Sequence, residues 1–290
     1  MAELAVAAFG GVRSCIRIAG LWFIGHDGGM DVQGVVDEVV AGTPGVRWSI
    51  LIGGASHDAG RRLSTASIGK ILLLAEVGRQ IESGLLDPAE LLVRKPELAV
   101  ADSGLWQHLI TGALPVADLA VLVAAVSDNY ATNVLLDRVG IDAVAALTGT
   151  LGLRETSLND RVRAGREPHH PPTLSNGSAG ELAGLMAGIA RRELVSPGVS
   201  ERLDRWLATG TDLSMVASAF DLDPLAHTER DGGRQLRNKT GTDTRIRADV
   251  GFVWRGTALT TYAVLANWDA DRDRTDEVMA AMRRLGAALR

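Results

Sequence analysis

The sequence is nearly without cysteine. Cys15 is the single one in 290 residues, so no intrachain disulfide and no cysteine-based zinc cluster can form. The six histidines show no zinc-ligand spacing, and neither a metal nor a cofactor is expected. No basic block interrupts a chain of net charge −5, which excludes a nucleic-acid footprint. The glycines follow no period, so repeat and low-complexity architectures are excluded too. The apolar run "IAGLWFI" (18–24) is too short to span a bilayer. Glu3 precedes any basic residue, and Arg13 and Arg17 break the apolar stretch, so the start makes a poor secretory signal. A cytoplasmic location is the expectation, with secretion left open.

What is present reads as one compact unit. Hydrophobic content is 46% and charged content 22%, ordinary for a soluble protein, and the length suits a single core with two lobes. Residues 1–29 are expected to form an N-terminal extension outside the fold, with one domain over 30–290. Asp31 caps an expected helix at 31–41. "VRWSILIG" (46–53) reads as a strand, as does "GRRLS" (60–64). Helices are expected over 67–83, after Pro115, over 129–140 and over 141–152. The proline-rich 153–178 is irregular, and loops of that length are often functional. Ser178 and Glu181 form a capping box, and 200–210 is amphipathic. Three strands in succession follow, then a helix at 275–289. Strands at both ends with helices between predict an α/β (α+β) fold, in which both chain ends build one mainly antiparallel sheet. The α/β lobe would span 30–66 and 211–290, and a helical lobe 67–210.

Three short strings stand out. Ser67-x-x-Lys70 opens a helix, Ser127-Asp128-Asn129 joins two apolar helices, and Lys239-Thr240-Gly241 lies on the first strand of the C-terminal meander. The first is weak alone, arising about once by chance in such a chain, whereas a given tripeptide arises roughly 0.03 to 0.1 times. Their order and placement together make coincidence remote. A serine hydroxyl is a poor nucleophile until a base takes its proton. Helix positions i and i+3 share a face, so Lys70 can serve Ser67 once its ammonium is deprotonated. Burial and a neighbouring cation such as Lys239 favour that.

From about residue 31 onward the chain resembles the class A β-lactamase and penicillin-recognising serine enzymes, whose signature these strings match. "SDNYATNVLLDRVG" is especially similar to the family's helix after S-D-N. The resemblance implies an active site in the cleft between the lobes. It implies that Ser127 relays a proton to the departing lactam nitrogen, that Asn129 binds the substrate's side-chain amide, and that Lys239 and Thr240 hold its carboxylate. It implies an oxyanion hole from the backbone N–H groups of Ser67 and Thr242. Arg245 and Arg247 are candidates for a second carboxylate contact, and Asp128 is expected to brace backbone. The implied partner is a small molecule, a β-lactam or an acyl-peptide or ester, bound by a monomer without nucleic acid or membrane.

One part of the family pattern is displaced. Class A lactamases carry a loop glutamate for deacylation, in an E-x-x-L-N string that "ETSLN" (155–159) matches with Glu155 first. Aligning the preceding helix from Ser127 instead puts that position near Val162, with Glu167 the next acid. Asn133, which helps hold the glutamate in the family, is present. The expectation is therefore a divergent class A β-lactamase with intact acylation and slow deacylation. The alternatives are a penicillin-binding D,D-peptidase or esterase, and a non-catalytic binder that stays acylated.

Overall fold

The computed structural model describes residues 15–18, 21–24 and 31–290. The expectation for residues 1–29 falls largely outside them. What is described there is a hairpin, β1 (Cys15–Ile18) with β2 (Leu21–Ile24), forming a sheet of its own.

The chain then enters the fold through α1 (Val32–Gly42), where Asp31 Oδ1 accepts from Gly34 N at 3.0 Å. It continues into β3 (Val46–Ile52) and β4 (Ala55–His57). The C-terminal third supplies β10 (Arg234–Asp243), β11 (Ile246–Arg255) and β12 (Ala258–Trp268). Strand order is β10-β11-β12-β3-β4, antiparallel throughout, so both chain ends do build one sheet.

Alternation along these strands sends side chains to two separate cores. On one face Ile50, Ile52, Tyr262 and Val264 pack with Val36 and Val39 of α1 and with α8 (Thr275–Ala287). On the other, Leu51, Val250, Ala263 and Leu265 join the helical core. That core holds α2 (Lys70–Glu82), α3 (Val116–Val126), α4 (Asn129–Val139), α5 (Ile141–Thr150), α6 (Ala179–Arg191) and α7 (Pro197–Leu207). Short strands lie among these helices: β6 (Leu91–Val93) pairs with β7 (Ala113–Pro115). The "GRRLS" strand contracts to β5 (Leu63–Ser64), paired with β9 (Ser175–Gly177), which also pairs with β8 (Ser157–Leu158). Asn267 at the end of β12 brackets the Ser64 backbone, accepting from its N–H at 2.9 Å and donating to its carbonyl at 2.9 Å. The large sheet thereby fixes where the next residues, including Ser67, emerge.

The Ser178–Glu181 capping box forms only by half. Ser178 Oγ accepts from Glu181 N, but the Glu181 carboxylate turns to the backbone N–H groups of Arg154 and Glu155.

Candidate active site

Ser67 does not start on an α-helix. It sits in a 3₁₀ turn, Ala66–Gly69, that leads into α2. Residues i and i+3 eclipse in 3₁₀ geometry, so Ser67 and Lys70 still share an edge. Ala66 holds φ +48°, a left-handed conformation that L side chains adopt at a cost. Its carbonyl accepts from Ser175 Oγ at 2.6 Å, and Ser175 Oγ also meets Thr65 Oγ1 at 2.7 Å. A side chain at Gly69 would strike Ser175, its Cβ falling 2.4 Å from that of the serine. The serine of β9 thus braces the bend that presents Ser67. Ser67 is half-buried, and no side chain among the described residues hydrogen-bonds its hydroxyl.

Lys70 is fully buried and spends its donors elsewhere: Ser127 O at 2.6 Å, Ser127 Oγ at 3.1 Å and Asn129 Oδ1 at 2.8 Å. Burial drives its pKa well below that of an ordinary lysine, and the Lys239 charge adds to the effect against Asp128 and Asp102. Once the amine is neutral, Ser127 Oγ can reverse its role and donate to it, since a hydroxyl does either.

Ser127 ends α3 with φ +56°, which turns its hydroxyl and carbonyl toward Lys70. Asp128 caps α4 through Ala131 N and accepts from Leu105 N and Trp106 N. It braces backbone, as expected. Asn129 Nδ2 donates to Ala101 O, so both ends of its amide are engaged.

Lys239 is buried on β10, and Nζ donates to Thr240 O at 2.9 Å. Burial lowers its pKa to about 8, against the pull of Asp212 and Asp249. Thr240 Oγ1 donates to Asp212 Oδ2 at 2.7 Å. Asp212 therefore occupies the hydroxyl expected to face a substrate carboxylate. No motif marks Asp212 in the sequence, and it reaches the site only through tertiary contact. Behind Thr240, buried Asp249 accepts from Asn238, Tyr262 and Ala217; burial raises its pKa to about 7. Gly241 permits a close crossing: a Cβ there would lie 2.1 Å from Thr65 O. Any side chain would push β10 away from the Ser67 turn.

Two cavities meet at Ser67, Ser103 and Thr242. The smaller, 180 Å³, is walled by Ser127, Lys239, Thr240 and Asp212. The larger, 930 Å³, runs past Asn129 and Val162 to Arg245 and Arg247. Arg247 Nη1 donates to the carbonyls of Asp243 and Ile246, and its guanidinium lies 5.9 Å over Trp268.

The sequence of the loop after α5 left three positions in contention, and the geometry separates them. Asn133 Nδ2 donates to Val162 O at 2.9 Å and its Oδ1 accepts from Val162 N at 2.8 Å. This double bond pair fixes Val162 in the wall of the large cavity. Glu155 lines neither cavity, its backbone being held by Glu181. Glu167 is 70% exposed beside His169.

A model of the beta-lactamase enzyme family matches residues 38–290. The chain belongs to that family. Among solved structures it is similar to the beta-lactamase of Sphaerobacter thermophilus, at 25% identity and TM-score 0.76, covering 90% of this chain and 97% of that one. It is similar in fold to PBP-A, at 20% identity and TM-score 0.74 over 90% and 94% of the two chains. It resembles in the same way a PBP-A variant described as an acyl-enzyme complex with penicillin G, at 20% identity and TM-score 0.73 over 89% and 94%. No curated protein sequence matches. Membership makes the chain a serine β-lactamase-like hydrolase with a small-molecule substrate. Among the described residues no acidic, histidine or cysteine cluster is placed to hold a metal, and no helix is long and apolar enough to cross a membrane.

Proposed function

We propose that this protein is acylated by β-lactams at Ser67 and releases the acyl group slowly. The observation that carries the reading is Val162, clamped by Asn133 in the cavity wall where the family pattern calls for a carboxylate. In the first step the Ser67 hydroxyl proton passes to neutral Lys70, and Oγ bonds to the lactam carbonyl carbon. The backbone N–H groups of Ser67 and Thr242 hold the oxyanion, and such donors are commonly worth about 3–4 kcal/mol. As the C–N bond breaks, the proton moves from Lys70 through Ser127 Oγ to the departing nitrogen. Lys239 binds the substrate carboxylate, Thr240 joins it by turning its hydroxyl away from Asp212, Asn129 takes the side-chain amide in exchange for one of its present partners, and Arg247 supplies a second carboxylate contact. The ester left on Ser67 then faces valine, and attacking water lacks the carboxylate base that the family pattern places there. The direct test is the lifetime of the adduct on Ser67, taken up at the close of the Discussion.

A second reading, a D,D-peptidase or esterase sharing the same acylation, is favoured by the same valine. An acyl acceptor that brings its own nucleophile relies less on a base held for water.

Acylation by carboxylate-bearing substrates should fall at high pH. Lys239 titrates at about 8; it is cationic below that value and loses its charge as pH rises through it. The second-order acylation constant reports the free enzyme, so it should show a falling limb near pH 8. Arginine keeps its charge there, so Lys239→Arg, if it still binds, should lose that limb. A pH profile of acylation with both proteins checks this.

A further inference from the structure

We propose that the large cavity binds an acidic group carried on the acyl chain of the substrate. This deepens the acyl-enzyme reading and rests on it. The small cavity holds Ser127 and Lys239, the groups that serve the leaving nitrogen and its carboxylate. An acyl chain attached at Ser67 must then extend into the other cavity, whose 930 Å³ lies at the upper end of the usual range for ligand sites.

The residues that line that cavity carry more positive charge than negative, the reverse of the chain as a whole. The protein carries −5, yet five arginines line the cavity against three aspartates, Asp102, Asp243 and Asp273. Two of the arginines have other duties: Arg247 is assigned to the lactam carboxylate, and Arg272 is paired with Glu277 at 2.9 Å. That leaves Arg163, Arg166 and Arg245. Two of the aspartates also turn an oxygen to backbone, Asp243 to Thr244 N and Asp273 to Thr275 N.

Arg163 and Arg166 share one acceptor. Asp160, with a side chain only 8% exposed, takes Arg163 Nε and Nη2 at 2.7 and 3.0 Å and Arg166 Nη1 at 2.7 Å. One buried carboxylate between two guanidiniums leaves donors of both free directly after Val162, with the exposed Glu167 carboxylate also near Arg163. Arg245 stands at the turn between β10 and β11 with φ +60°, a conformation that glycine adopts more cheaply. It has no ion-pair partner among the described residues. Guanidinium groups recognise carboxylates bidentately, and an unpaired guanidinium at the mouth of a cleft draws in the opposite charge.

The test compares three penams that differ only in the acyl chain: hexanoyl, adipoyl and aminohexanoyl. Acylation of Ser67 is followed by intact mass. Adipoyl should acylate about tenfold faster than hexanoyl, and aminohexanoyl more slowly than both. Raising the salt from about 0.05 to 0.5 M should shrink the advantage. Arg245→Gln, on an exposed turn, and Arg163→Gln should each narrow the adipoyl-to-hexanoyl ratio severalfold. Equal rates for the three chains, or a ratio unchanged in both variants, would overturn this inference and leave the acyl-enzyme reading standing. No adduct on Ser67 with any chain would overturn that reading and this inference with it.

Discussion

Val162→Glu should speed release of the acyl group from Ser67. The Asn133 side chain meets only backbone atoms, the N–H and carbonyl of Val162 and the carbonyl of Leu98, so it would hold a glutamate as it holds the valine. The new carboxylate would enter the cavity that Ser67 also lines. General-base assistance is typically worth 10²–10⁴-fold, so deacylation should accelerate by about that factor while acylation changes little. Pre-steady-state traces with a chromogenic cephalosporin would show it. The parent should give a burst and then a slow phase, and the variant a single fast phase. Glu155→Gln should leave the parent trace as it is, because Glu155 lines neither cavity. Were "ETSLN" the deacylation motif, Glu155→Gln would instead trap the acyl-enzyme.

The second large effect concerns acylation. Lys70→Ala should lower the acylation rate constant by about 10²–10⁴-fold, with a much smaller change in the dissociation constant of the first complex. Lys70 is buried and bonded to Ser127 and Asn129, and it lines neither cavity. On the proposed mechanism its work belongs to the chemical step. Lys239→Ala should do the reverse and weaken affinity first. Rapid-mixing data over a range of drug concentrations separate the two constants, and equal defects in both variants would contradict this division.

How far the sequence carried these conclusions depends on whether each signal was local. The meander and β3 were legible because strands buried on both faces read as short, nearly continuous apolar runs. Ser67-x-x-Lys70 was legible as spacing, but the 3₁₀ turn was not. It depends on Ala66 at φ +48° and on Ser175, more than a hundred positions away. Asp212 was invisible for the same reason, since its role is a tertiary bond to Thr240. The loop was ambiguous in the opposite way, with too many local signals. Five letters favoured Glu155, whereas continuity of the preceding helix favoured Val162. The Asn133 clamp puts Val162 in the cavity wall, whereas Glu155, its backbone held by Glu181, lines neither cavity. The capping box was read correctly as to residues and only half correctly as to bonds, because the Glu181 carboxylate has a better use.

The central claim is that Ser67 is acylated and stays so for want of a carboxylate at Val162. Time-resolved mass spectrometry of the protein after a short exposure to penicillin G tests it most directly. The account predicts the mass of one intact drug, mapped to the peptide carrying Ser67, still present long after free drug is removed. The same adduct should vanish quickly from Val162→Glu. A parent protein that turns the drug over rapidly with no adduct, or an adduct on any residue but Ser67, would contradict it.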